Sequence, residues 1–118
     1  TKFIKKVTEI VSQNYRNPGF SVEDLSKAMG MSRVNLNRKL KESIGLSPSS
    51  LIKTVRLKQS AYLLVNSNVN ISEAAYMVGF SSPSYFSNAF NSFFGMTPKE
   101  FVMNYMDNSN EEEFRKRI

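Results

Sequence analysis

The sequence predicts an all-α protein in which two helix-turn-helix subdomains are joined by a long central helix, with about seven helices in total. The first observation is an internal repeat, since residues 22–32 match residues 71–81 at an offset of 49. Residues 45–48 (Gly-Leu-Ser-Pro) match residues 95–98 (Gly-Met-Thr-Pro) at an offset of 50. The second is the stretch 48–65, which has no internal glycine and has apolar residues at helical spacing. Two copies of the pattern around one helix are far more specific than a single copy.

Capping residues predict where each helix begins and ends. An amphipathic helix spans residues 2–16, and the Asn-Pro-Gly sequence that follows stops it. In the first half, serines at N-cap positions precede helices that run to about residues 29, 43 and 65. In the second half, helices are predicted over residues 71–78, 83–94 and 98–105. The predicted domains are a first subdomain (1–47), a linker helix (48–66), a second subdomain (67–106) and a polar tail (107–118).

Apolar periodicity predicts the buried side of the second helix in each pair. In the third helix this side comprises Leu36, Leu40 and Ile44. In the sixth helix it comprises Phe86, Phe90 and either Phe93 or Phe94. An aromatic stripe at this spacing is more typical of a core than of a ligand site.

Positive charge is concentrated in the first half of the chain. The 118 residues have a formal net charge of +6. Residues 1–60 hold twelve Lys and Arg against four Asp and Glu, whereas residues 61–106 hold one against two. This asymmetry favours a polyanionic partner, and a solvated lysine-rich surface is the plainer alternative. The chain has no cysteine and no histidine, so no catalytic residue, metal site or cofactor is predicted.

The exposed side of the third helix carries side chains suited to reading DNA. Arginine can bridge O6 and N7 of guanine, asparagine can pair with adenine, and valine can contact a thymine methyl. The predicted base contacts here are Arg33, Val34, Asn37 and Arg38. The outward side of the sixth helix offers short polar groups, among them Ser84, Ser87 and Asn88, and no cation. The predicted phosphate contacts are Lys27, Lys39, Lys41, Lys53 and Lys58.

Residues 79–90 (Gly-Phe-Ser-Ser-Pro-Ser-Tyr-Phe-Ser-Asn-Ala-Phe) and 94–98 (Phe-Gly-Met-Thr-Pro) closely resemble the second helix-turn-helix signature of AraC/XylS-type transcription regulators. Residues 31–41 and 47–48 are most similar to the version that ends hybrid two-component sensor-regulators. The resemblance implies recognition helices in successive major grooves on one side of DNA. It places base-reading positions at Val34, Asn37 and Arg38 in the first unit, and at Ser84, Ser87 and Asn88 in the second.

The predicted function is sequence-specific binding of double-stranded DNA by the domain of a transcription regulator. RNA polymerase is the second predicted partner, and we expect a longer multidomain parent, a cytoplasmic location and no membrane contact by this domain. The domain itself is not predicted to be an enzyme, although a full-length parent could carry histidine kinase activity. The main alternative is a helical protein-interaction module with weak or non-specific DNA binding, because the fifth and sixth helices contain no Lys or Arg. An RNA-binding module is less well supported, because the aromatic residues are spaced for a core.

Overall fold

Seven α-helices account for the described part of the chain, residues 1–108, in the computed structural model. They are α1 (Lys2–Asn14), α2 (Val22–Met29), α3 (Arg33–Ile44), α4 (Pro48–Asn66), α5 (Ile71–Met77), α6 (Pro83–Phe94) and α7 (Pro98–Asn108). The predicted all-α class and the predicted helix number are confirmed. Helix α1 ends two residues earlier than predicted, and α7 continues three residues further. The predicted tail therefore begins inside α7, and its residues 109–118 lie outside the described residues.

Side-chain caps hold the helix N-termini where the sequence predicts them. At α2 the Asp24 backbone N–H donates to Ser21 Oγ at 3.1 Å, and the Ser21 N–H donates to Asp24 Oδ2 at 3.0 Å. The bonds from the Ser21 backbone, and secondarily from its hydroxyl, hold the pKa of Asp24 below its usual value. A carboxyl with a lowered pKa stabilises the fold when ionised. Its contribution is therefore present above the ordinary pKa and is lost as the pH falls through the lowered one.

The linker helix, α4, lies between two groups of helices that we call the first unit (α1–α3) and the second unit (α5–α7). It contacts all six of the other helices. Its buried side chains are those of Pro48, Leu51, Ile52, Leu57, Ser60 and Leu64. The Ser60 hydroxyl, which is fully buried, donates to the Leu57 carbonyl at 2.6 Å, so it is not left unsatisfied. None of the described helices combines the length and the apolar character that crossing a membrane requires.

The buried sides of α3 and α6 agree with the prediction except at one position. Leu36, Leu40, Phe86 and Phe90 are fully buried. The prediction for Ile44 was wrong, because this side chain is 40% exposed. Each four-residue step moves a side chain about 40° around a helix. Ile44, in the last turn of α3, therefore lies at the edge of the buried side.

Of the two aromatic alternatives at the end of α6, Phe94 is the core residue. It is half-buried, and its ring centroid lies 4.4 Å from that of Phe90 and 5.7 Å from that of Phe101 in α7. Phe93 is 45% exposed. The aromatic stripe of α6 therefore packs α7 against α6 within the second unit, as expected for core residues.

The two units meet at a point that we call the joint, formed by Tyr15, Asn17, Arg56 and Gly79. Arg56 of the linker helix donates from Nε to the Tyr15 carbonyl at 2.9 Å and from Nη2 to the Asn17 carbonyl at 3.0 Å. Gly79, which follows α5, has a φ of +99°. A Cβ atom at this position would overlap the Tyr15 carbonyl oxygen and would stand 2.8 Å from Arg56 Nε. Only glycine allows the backbones of the two units to approach this closely.

Candidate nucleic-acid interface

A groove runs between the exposed side of α3 and the start of the linker helix. Arg33, Val34 and Asn37 line it from α3, and Ser49 lines it from the linker helix. The Ser32 hydroxyl caps α3 by accepting the Asn35 N–H at 3.1 Å. Leu36 is fully buried, whereas the groove residues of α3 are exposed. Val34 is 76% exposed. An apolar side chain of that exposure is sterically open to a thymine methyl.

Two further grooves continue this surface across the linker helix to α6. The middle groove shares Ser49 with the first groove and adds Lys53 and Tyr85. The second-unit groove shares Lys53 and Tyr85 with the middle groove and adds Asn88. Because neighbouring grooves have lining residues in common, α3, the linker helix and α6 present one contiguous surface. We call it the three-groove surface.

Arg38 projects from the side of α3 that faces away from the core. At 100° per residue it lies about 180° from the midpoint of Leu36 and Leu40. Its side chain is 60% exposed, and its Nη1 lies 3.5 Å from Oε1 of Glu42, which is 64% exposed. An exposed pair four residues apart on a helix contributes about 0.3–0.5 kcal/mol. A guanine edge can therefore replace Glu42 at little cost, and base contact by Arg38 stays a prediction.

The five predicted phosphate contacts lie in different places. Lys53 lines the middle and second-unit grooves. Lys39 packs against α1, with its Nζ 4.8 Å from the centroid of the Phe3 ring. Lys58 lies about 140° around the linker helix from Lys53, on a side that the three-groove surface does not include. Lys27 and Lys41 are exposed but do not line these grooves. Phosphate contact by these four remains a prediction without support from their position.

The predicted base contacts of α6 differ in exposure. Ser84 and Asn88 are exposed, whereas Ser87 is half-buried. Of the three, only Asn88 lines the second-unit groove. The cation in that groove is Lys53, which the linker helix provides. A helix without cations is thus flanked by one that supplies a positive charge.

Tyr85 and Arg56 line the middle groove and were not among the predicted site residues. The Tyr85 ring is held edge-on to Phe80, with 5.5 Å between the centroids, and is 52% exposed. Burial lowers the pKa of the Arg56 guanidinium, and nearby Tyr85 offsets part of this effect. Helical periodicity could have placed Tyr85 on the exposed flank of α6, beside Asn88. No local pattern could have found the role of Arg56.

A family model described as a helix-turn-helix domain matches residues 25–104, more than half of the chain. The chain belongs to the AraC-type helix-turn-helix family. The match of the AraC-type model begins in α2 and ends in α7, so it includes both predicted recognition helices. The resemblance predicted from residues 79–90 and 94–98 is confirmed.

Curated relatives and solved structures agree with this membership. Histidine kinase P4 of Formosa agariphila is 38% identical over 106 residues, which are 90% of this AraC-type chain and 8% of that protein. The Msm operon regulatory protein of Streptococcus mutans is 34% identical over 106 residues, which are 90% of this chain and 38% of that protein. The DNA-binding domain of AdpA, solved in complex with a target DNA, is similar with a TM-score of 0.80 and 26% identity. That match covers 88% of this chain and 96% of the AdpA chain. The chain thus spans well under half the length of these two curated relatives.

Proposed function

We propose that this domain binds a two-part site on double-stranded DNA, with α3 and α6 in successive major grooves on one side of the duplex. The observation that supports this most is the continuity of the three-groove surface, which includes Asn37, Lys53 and Asn88. Major grooves on one side of B-DNA recur every ~34 Å. The described part of the chain is 51 Å long and 28 Å by 23 Å across, so two recognition helices one helical turn apart fit within its length.

The two units are proposed to contribute unequally. The first unit would read bases through Arg33, Val34, Asn37 and Arg38, and the second through the shorter side chains of Ser84, Ser87 and Asn88. The proposed phosphate contacts are Lys27, Lys39, Lys41, Lys53 and Lys58. All five lysines belong to residues 1–60, so counterion release would come mainly from the first unit and the linker helix.

The wider setting is proposed from the relatives. The similarity to a histidine kinase supports a hybrid two-component parent, of which this domain would be the DNA-binding output. The similarity to an operon regulatory protein supports regulation of transcription, with RNA polymerase as a partner in the cytoplasm. Any kinase activity would belong to other parts of that parent. The proposed boundaries are 1–47, 48–66 and 67–106, and the contacts of the linker helix with the helices on either side of it support this division.

Selection of binding sites from random duplex DNA, followed by hydroxyl-radical footprinting, tests the proposal. We expect two protected patches about 10 base pairs apart, centre to centre, on one side of the helix. One short patch, or two patches on opposite sides, would contradict the proposed geometry. Failure to select any sequence would instead favour the protein-interaction module.

Arg38→Ala is expected to lower affinity for the selected site by about 1–3 kcal/mol and to flatten the preference at one base position. Lys53→Ala is expected to weaken selected and scrambled duplexes alike and to reduce the slope of log K against log salt by about 1. The measurement is a salt titration of affinity on both duplexes. An equal loss on both duplexes for Arg38→Ala would identify Arg38 as a phosphate contact.

A further inference from the structure

We propose that Arg56 fixes the angle and distance between the two recognition helices, and so determines which half-site spacing the domain accepts. This inference rests on the proposed function and adds to it a residue that sets the geometry of the site. Arg56 is a positioning residue here, because it acts through the joint and not through a base.

Arg56, on the linker helix, binds the backbone just after the end of α1 in the first unit. Its two hydrogen bonds reach the carbonyls of Tyr15 and Asn17, which are 41 and 39 residues away in the chain. The only salt bridge in the part of the chain that the structure describes joins Arg38 and Glu42, so no described carboxylate pairs with Arg56. The guanidinium therefore serves as a fork for two carbonyls, a geometry that a lysine ammonium cannot reproduce.

The same carbonyl connects Arg56 to the second unit. The Gly79 backbone packs against the Tyr15 carbonyl oxygen and against Arg56 Nε. The next residue, Phe80, is 2% exposed, and its ring centroid lies 5.2 Å from that of Phe86 in α6. Only a few residues therefore separate the joint from the recognition helix of the second unit. A change at the joint is expected to move α6 relative to α3.

A rigid joint makes affinity depend on half-site spacing. One inserted base pair moves the second half-site by about 3.4 Å and rotates it by about 35° around the duplex. A rigid protein cannot then engage both half-sites at once, and the gain from linking two binding modules is lost when geometry forbids it. A loosened joint would tolerate the insertion but would bind the best spacing less tightly.

The test uses the selected two-part site and versions with one base pair added or removed between its halves. The wild-type domain is expected to lose at least about tenfold in affinity on the altered spacings. Arg56→Met, which keeps most of the apolar stem, is expected to bind all three spacings within about threefold of each other. Arg56→Lys keeps the positive charge and should lie between the two. Gln59→Met, on the same helix and exposed, is the matched control and should behave as wild type.

Three outcomes would count against these ideas in different ways. A uniform loss on all spacings for Arg56→Met would overturn the inference and would make Arg56 a simple affinity or stability residue. A reduced salt slope for Arg56→Met with an unchanged spacing preference would also overturn it, because Arg56 would then be a phosphate contact. If wild type is indifferent to spacing, the two-part site itself is wrong and the proposed function fails first.

A second measurement needs no DNA and so separates the inference from the proposed function. The chain contains no cysteine, so Ser43→Cys and Asn91→Cys place one spin label near the end of α3 and one on α6. Pulsed electron paramagnetic resonance then reports the distribution of distances between the labels. Arg56→Met and Arg56→Lys are expected to broaden it, and Gln59→Met is not. An unchanged width in both Arg56 variants, with helicity retained, would overturn the inference.

Discussion

Gly79→Ala is expected to lower the free energy of unfolding by about 3 kcal/mol or more. The backbone of Gly79 has a φ of +99°, and an added Cβ would overlap the Tyr15 carbonyl oxygen and would stand 2.8 Å from Arg56 Nε. A backbone carbonyl cannot swing aside as the end of a side chain can, so the end of α1 would have to move away from the second unit. Denaturant unfolding measures the loss as a lower midpoint at an unchanged m-value.

Gly95→Ala is the matched control, because Gly95 also has a positive φ, of +76°, and also belongs to the second unit. An added Cβ at Gly95 would meet nothing within 4 Å, so only the left-handed backbone is strained. That strain costs about 1–2 kcal/mol. Equal losses in the two variants would show that the close approach at the joint adds nothing beyond the strain common to both positions.

The order and ends of the helices could be predicted because their signals are local. Ser21 with Asp24, and Asn70 with Glu73, are three residues apart, and both pairs form the capping boxes that such spacing predicts. The repeat then located the second helix pair from the first. The C-terminal end of α7 was predicted less accurately, because no glycine or proline follows the helix to mark where it stops.

The joint could not be predicted, because its bonds are non-local and end on backbone carbonyls. Arg56 reaches the Tyr15 carbonyl across 41 residues. Every residue has a backbone carbonyl, so the residue type at position 15 does not indicate that this carbonyl accepts a hydrogen bond from Arg56. The positive φ of Gly79 is typical of a turn after a helix, but its close approach to Tyr15 depends on how the two units pack. No pattern in a single sequence shows that two backbone segments from different units lie this close together.

The candidate site was predictable in part for the same reason. Helical periodicity was sufficient to predict that Val34 and Asn37 are exposed and that Leu36 is buried. It could not tell which flank of a helix faces which neighbour. Lys39 therefore turned out to pack on Phe3, and Lys53 turned out to serve the groove beside α6. The surroundings of these two lysines depend on how helices that are distant in the sequence cross each other, and a single sequence does not show this.

Phe90→Ala is expected to cost the protein about 3–5 kcal/mol of stability. Phe90 is fully buried, and its ring centroid lies 5.6 Å from that of Phe86, 4.4 Å from that of Phe94 and 5.4 Å from that of Phe101. Truncation would leave a cavity between α6 and α7 that these rings cannot fill without moving. Thermal and denaturant unfolding measure the loss, and amide exchange should show that it is largest in α6 and α7.

Phe93→Ala removes the same ring from the same helix but from a position that is 45% exposed, so it is expected to cost about 1 kcal/mol. The comparison bears on the DNA interface as well as on the core. Asn88 lies about 200° around α6 from Phe90, so the exposure of Asn88 and the burial of Phe90 depend on the same orientation of the helix. If Phe93→Ala costs as much as Phe90→Ala, the sides of α6 are misassigned, and Asn88 would not be available to a base edge.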